Sequence, residues 1–356
     1  MPVSLDIDNG YIKIIEGEQS NNKIKIKKSI IKEIDKTYVH NGYVNNKTEL
    51  TLVLTDIVRE YDLKNKECYI AINTTDTITK EITLPKTKSN HLEKLIKNSI
   101  KELFGDIVNL CIDYKVYEEF KKDGKNFYRI LIYGVPLKIV QDYKSIITNC
   151  GLIPKVLDIK RSAISKLLDY KINNNDIKNN IKLFIDISGD NMLFNLMSGN
   201  IPLYKRDVDI SEDIKREKLF LNRDDKKDLL DEENIEFLEE VATTFDENIN
   251  KNDDEITFLE DQDYFQEEAS FVSPILLKVY EEINKIIQFS MSLNSENNIE
   301  KIYLYGDRED LDEISEYIDN NINSSTEKIY EISNVKSDQE IDISKFFIAI
   351  GNILRK

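Results

Sequence analysis

Ile185-Asp186-Ile187-Ser188-Gly189-Asp190-Asn191 decides the fold, because a similar pattern stands earlier, at Leu5-Asp6-Ile7-Asp8-Asn9-Gly10. In each, an apolar strand ends in Asp-Ile and turns through small polar residues. Asp8-Asn9-Gly10 supplies turn chemistry, after which Tyr11, Ile12, Ile14 and Ile15 resume a strand. Met192 to Leu196 pairs back onto Lys182–Ser188 in the same way. Asp6 and Asp186 lie 180 positions apart in a chain of 356 residues, about half its length. The spacing predicts a duplicated domain in which each half gives one acidic hairpin to a shared cleft. Small turn residues let backbone N–H groups approach an anion closely. Carboxylates suit Mg²⁺, a hard ion that keeps waters around it.

Outward from these hairpins, strands and helices alternate, which indicates α/β or α+β architecture. Lys23 to Ile31 alternates Lys with Ile, as a sheet strand with one wet face does. Thr48 to Tyr61 reads as a helix, and Cys68–Ile72 and Thr77–Leu84 read as strands. Asn90 with Glu93 is expected to cap a helix whose apolar stripe is Leu92, Leu95, Ile96, Ile100, Leu103 and Phe104, with Gly105 at its stop. Strands follow near Cys111–Tyr117 and Phe127–Val135, then a helix through Leu137–Asn149, a strand at Val156–Ile159 and a helix from Ser162. The polar run Asn173–Asn180 marks a boundary between halves. Ser273-Pro274 caps a long amphipathic helix. Ile302–Tyr305 is a strand ending in Gly306, and Leu311–Ile318 and Phe346–Leu354 are helices.

Net charge is −17, which disfavours nucleic acid as a partner. Ser211 to Ser270 holds 22 acidic against 7 basic residues, so the remainder of the chain is close to neutral. Within that segment Glu232–Val241 could form a helix, and Asn248–Glu260 is expected to be disordered. Cys68, Cys111 and Cys150 have no paired spacing, which fits reduced thiols; Cys68 and Cys111 are expected in the core. His40 and His91 are the only histidines, and neither stands near a cysteine, which disfavours a zinc site. No apolar run approaches the roughly 18 residues that a membrane helix needs, so attachment to a membrane is expected to go through a partner, without direct insertion.

The two hairpins resemble those that flank ATP in the actin and Hsp70 superfamily. Within it the chain resembles the PilM family of type IV pilus assembly proteins, itself FtsA-like. The resemblance rests on Asp6 through Lys13, on Thr83-Leu84-Pro85 before the Leu92–Phe104 helix, and on Val156-Leu157-Asp158-Ile159 with Ala163. Glu282-Ile283 and Ala349-Ile350-Gly351-Asn352-Ile353-Leu354-Arg355 complete it. It implies a two-lobed, ribonuclease H-like ATPase fold with an inserted α+β subdomain. The division implied is 1–84, first-lobe core; 85–155, the insertion; 156–175, return to the first lobe; 181–210, second-lobe core; 211–270, an acidic, degenerate or disordered subdomain; 271–340, second-lobe core; and 341–356, a helix returning to the first lobe.

It further implies a nucleotide site of Asp6, Asp8, Asn9, Gly10, Tyr11 and Lys13 from one hairpin and Asp186, Ser188, Gly189, Asp190 and Asn191 from the other. Gly306 and Asp307 would lie at the adenosine. ATP and Mg²⁺ are the implied cofactors, with Asp6 and Asp186 facing the metal and no catalytic residue assigned. The implied partner is the N-terminal cytoplasmic tail of a PilN-like membrane protein, bound through free strand edges and apolar pockets. Pilus motors and the membrane platform would be reached indirectly from the cytoplasmic face. Three departures stand out. Asp8 replaces a family glycine, Ser188 is its counterpart, and Gly306-Asp307 replaces Gly-Gly. A carboxylate beside phosphate oxygens costs roughly 1–4 kcal/mol per charge pair near a surface. The expectation is therefore a scaffold with weakened or lost ATP binding. The rival expectations are an active ATPase of the same fold and an FtsA-like division protein. The latter predicts an amphipathic helix beyond a linker, whereas Lys356 directly follows the last apolar helix.

Overall fold

The computed structural model describes residues 1–8, 10–105, 109–175, 180–199, 201–221, 273–293 and 298–354. The readings at Glu232–Val241 and Asn248–Glu260 lie outside the described residues, as does most of 211–270.

The first half is built on β1 (Val3–Asp8), β2 (Tyr11–Ser20) and β3 (Lys23–Glu33), an antiparallel meander. Its second turn places Asn21 and Asn22 at φ 47° and 60°, the left-handed pair that a two-residue hairpin turn needs and that Asn tolerates. A small hairpin, β4 (Val39–His40) and β5 (Tyr43–Val44), leads to α1 (Lys47–Glu60), which Asn46 caps by accepting from the Glu49 N–H at 3.2 Å. Then come β6 (Glu67–Ile72), β7 (Ile78–Pro85), α2 (Ser89–Phe104), β8 (Leu110–Lys122), β9 (Lys125–Pro136), α3 (Leu137–Asn149), β10 (Ile153–Ile159) and α4 (Lys160–Leu167). Strands β7, β9 and β8 form a separate antiparallel sheet.

The second half repeats the opening with β11 (Ile181–Ser188), β12 (Asn191–Ser198) and β13 (Ile201–Asp209). After α5 (Ser211–Leu221) and α6 (Pro274–Leu293) come β14 (Ile299–Gly306), α7 (Leu311–Asn321), β15 (Ser325–Lys328), β16 (Val335–Ser337) and α8 (Ile343–Ile353). Its sheet runs β13-β12-β11-β14-β15, and the first runs β10-β6-β1-β2-β3-β16. Contacts divide the chain into one compact unit of 1–208 with 297–356 and another of 209–296. In the smaller unit Ser273 Oγ accepts from the Ile275 N–H at 3.2 Å, the expected cap of α6.

The alternation expected of β3 holds, since Ile24 and Ile26 are buried between exposed lysines. Its outer edge is covered at Ile24–Ile26 by β16, drawn from the far end of the chain. Strand β1 is buried on both faces. Val3, Leu5 and Ile7 pack with α1 and α3, whereas Ile15, Ile24 and Ile26 join α4, α8 and the second sheet in one core. In that core Phe347 of α8 lies 4.8 Å from Tyr305 and 6.1 Å from Phe184, ring centre to ring centre.

Two local expectations fail. Helix α2 begins at Ser89, so Asn90 is inside its first turn, and Lys88 stands at the cap position without a side-chain bond. The Lys88 carbonyl already accepts from His91 and Leu92, which starts the helix early. Cys111 is exposed, because β8 is an edge strand and alternation puts Cys111 on the open face between half-buried Leu110 and Ile112. Cys68 is buried as expected.

Helices α4 and α8 meet where Gly351 faces Ala163. A methyl group on Gly351 would sit 2.5 Å from the Ala163 carbonyl oxygen. Gly351→Ala is therefore expected to cost about 1–3 kcal/mol through overpacking, read as a lower urea midpoint at unchanged slope.

Candidate functional site

Asp6 and Asp8 stand two residues apart on β1, so both carboxylates share one face of the strand. Registers make the two hairpins equivalent: Asp6 faces Lys13 and Asp8 faces Tyr11, while Asp186 faces Leu193 and Ser188 faces Asn191. The acidic hairpins meet at one residue that no sequence pattern singled out, Lys160, the first residue of α4. Its ammonium is 3.4 Å from Asp6, 2.6 Å from Asp8 and 3.0 Å from Asp186. Only 3% of the Lys160 side chain is exposed.

A second buried lysine crosses the same gap. Lys13 Nζ donates to Ser188 Oγ at 3.2 Å and lies 3.6 Å from Asp307. Ser188 Oγ in turn donates to Asp186 at 2.5 Å, and the Gly189 N–H donates to Asp307 at 3.0 Å. Asp190 pairs with Lys36. Asn191 reaches Asp207 at 3.4 Å, and Asp207 also accepts from Asn73 of the first half at 2.7 Å. Of the residues expected at the site, these contacts thus bring together Asp6, Asp8, Lys13, Asp186, Ser188, Gly189 and Asp307. Asp190 and Asn191 stand at the rim. Tyr11 lies opposite Asp8 in the ladder, and Gly10, at φ 100°, completes the turn. Asn9 lies outside the described residues. Gly306, at φ 138°, serves strand packing: a Cβ there would sit 2.1 Å from the Ile187 carbonyl oxygen.

Burial sets the electrostatics. It pushes Asp6 up to about 7, reinforced by the Asp8 carboxylate and opposed by Lys160 and Lys13. Partial burial would raise Asp8 too, yet Lys160 and Lys13 hold it below the ordinary carboxylate range. Burial raises Asp307, with Lys13 pulling the other way. Both lysines stay protonated despite burial, Lys160 through Asp186, Asp6 and Asp8, and Lys13 chiefly through Asp307.

These paired hairpins on two sheets, with α4 and α8 between them and a separate three-stranded sheet inserted after β6, define a two-lobed actin-like ATPase fold. Residues 4–215 match the family described as type IV pilus assembly protein PilM, and the chain belongs to that family. A solved structure described as a PilM-PilN type IV pilus biogenesis complex is similar over 99% of this chain and 97% of that one, at 17% identity and a TM-score of 0.69. The ethanolamine utilization protein EutJ from Carboxydothermus hydrogenoformans is similar over 99% of this chain and 88% of its own, at 10% identity and a TM-score of 0.49. ADP-bound MreB5 of Spiroplasma citri is similar over 98% and 94%, at 11% and 0.42. No curated protein matches the sequence.

Removing the Lys160 charge strands three carboxylates in the interior. Lys160→Met is expected to lose about 3–5 kcal/mol of stability, with part restored by Asp8→Asn in the same chain. A loss under about 1 kcal/mol, the value of an exposed pair, would contradict this. Asp6 titrates near 7 when folded but near 3.8 when free. Folding therefore takes up a proton as pH falls through that window, and the stability so gained is lost as pH rises through 7. Asp6→Asn is expected to flatten the urea midpoint between about pH 5 and pH 8.

Proposed function

We propose that this chain is a nucleotide-independent scaffold of the type IV pilus assembly platform that binds the N-terminal tail of a PilN-like membrane protein. The observation that carries the reading is the Lys160 ammonium seated among Asp6, Asp8 and Asp186. Mg²⁺ requires near-octahedral oxygen ligands at about 2.0–2.1 Å and its own waters. With Lys160 held against the same carboxylates, Asp6 and Asp186 do not fit that ion. Asp8 adds a further negative charge where a phosphate would approach the first turn. The lysine supplies internally the cation that would otherwise arrive with the nucleotide, so the two halves need no ligand to close.

Family membership and the full-length likeness to a PilM-PilN complex support this choice of partner. Among the described residues no helix is long and apolar enough to cross a membrane, so a tail from a membrane protein would supply the attachment at the cytoplasmic face. Motor ATPases and the rest of the platform would be engaged through that partner. The division at 85–155 for the insertion and 211–270 for the acidic segment belongs to this proposal.

Calorimetry with MgATP and a PilN-like tail peptide tests it. We expect ATP to bind more weakly than about 1 mM, the peptide to bind equally well with and without ATP, and Asp8→Gly to gain nucleotide affinity. Micromolar ATP binding by the unaltered chain would instead support an active ATPase of this fold.

A further inference from the structure

Strand β8 forms one edge of the inserted three-stranded sheet, whose order is β7-β9-β8. Among the described residues no strand pairs with its outer side. Alternate N–H and C=O groups along a strand of 13 residues are therefore open to another chain. The Tyr114 N–H donates to the Asp113 carboxylate at 2.8 Å, a stand-in partner from its own strand.

The two ends of this edge differ. Beyond the register shift between Val116 and Glu118 it carries Glu118, Glu119, Lys121 and Lys122. A bulge and charged side chains are the ordinary means by which an edge is kept from pairing. Before the shift, Leu110–Val116 holds one acid and one base, Asp113 and Lys115. Tyr114 and Val116 are large, apolar and exposed. Alternation puts them with half-buried Ile112 on one face, and Asp113 with Lys115 on the other. Lys115 reaches the Ser165 hydroxyl at 3.4 Å, and an ammonium has three donors to share.

That stretch is complementary to itself. Laid antiparallel about a two-fold axis at Tyr114, Asp113 falls opposite the second copy's Lys115, and Ile112 opposite the second copy's Val116. Each pair occurs twice, and the two Tyr114 rings face each other. Opposite charges and aromatic or branched apolar side chains are the cross-strand pairs that stabilise a sheet. Moving the axis by one residue sets Asp113 against Asp113 or Lys115 against Lys115, so charge fixes the register. We propose that two copies of this chain associate by antiparallel pairing of β8 over Ile112–Val116, joining the two insertions in one six-stranded sheet. Five residues from each copy make a small interface, so the dimer is weak and forms where the chain is concentrated. This does not depend on whether the chain binds nucleotide or a pilus partner.

Sedimentation velocity of the full chain, from about 1 μM to about 1 mM, should show the 41.6 kDa monomer giving way to a dimer. Asp113→Lys replaces two attractive pairs by two repulsive ones and should weaken association about tenfold or more. The exchange of Asp113→Lys with Lys115→Asp in one chain recreates both pairs and should restore it. Should either variant not fold, Tyr114→Cys in a Cys111→Ser background decides. Paired copies bring the two positions 114 within disulfide reach, whereas the two natural Cys111 thiols would lie about 20 Å apart. Mild oxidation should therefore link the Tyr114→Cys variant and leave the unaltered chain unlinked. A chain that stays monomeric throughout, an association that Asp113→Lys leaves intact or that the exchange does not restore, or oxidation that links both proteins equally or neither would overturn the proposal.

Discussion

Taking a lysine ammonium out of water is tolerated only where opposite charges surround it, and Lys160 meets that condition only when both halves are folded and apposed. Asp6 and Asp8 come from β1, Asp186 from β11, and Lys160 from the helix that follows β10. The four residues thus come from three separate stretches of chain. The contact thus reports whether the whole larger unit has assembled. Lys13 does the same a few ångströms away, tying β2 to Ser188 and Asp307. Around these pairs Asn73–Asp207, Lys36–Asp190 and the Lys205–Thr74 carbonyl bond join the same halves. The apolar floor beneath them is the aromatic cluster of Phe184, Tyr305 and Phe347 with α4 and α8.

That arrangement is what the proposed scaffold role rests on. In such a fold a ligand bridging two lobes can set their closure. Under the proposed function the bridge is part of the chain itself, the Lys160 ammonium, and closure would be set by folding. The acidic excess is concentrated in Ser211–Ser270, while the cleft sets Lys13 and Lys160 against its own carboxylates.

Much of the fold was legible because it is written in local patterns. The repeated Asp-Ile strand ends with small turn residues predicted the two equivalent hairpins, and their registers agree residue by residue. The Lys-Ile alternation predicted β3, and Ala163 with Gly351, quoted only as family landmarks, proved to be the contact between two helices. Lys160 was not legible. A single lysine after an apolar strand has no periodicity or motif, and its role comes from three carboxylates far away in sequence. The pairing of β16 with β3 was hidden for the same reason. The start of α2 and the exposure of Cys111 failed more locally, the first to backbone bonds at Lys88 and the second to the openness of an edge strand.

The most direct test of the central claim is the side-chain ¹⁵Nζ spectrum of lysine-labelled protein at high pH, with Lys160 assigned by substitution, recorded before and after addition of MgATP. A buried ammonium clamped by three carboxylates predicts a protonated, slowly exchanging signal that persists when exposed lysines have lost theirs and that MgATP leaves in place. A Lys160 signal that exchanges like an exposed lysine, or that moves on adding MgATP, would contradict the account.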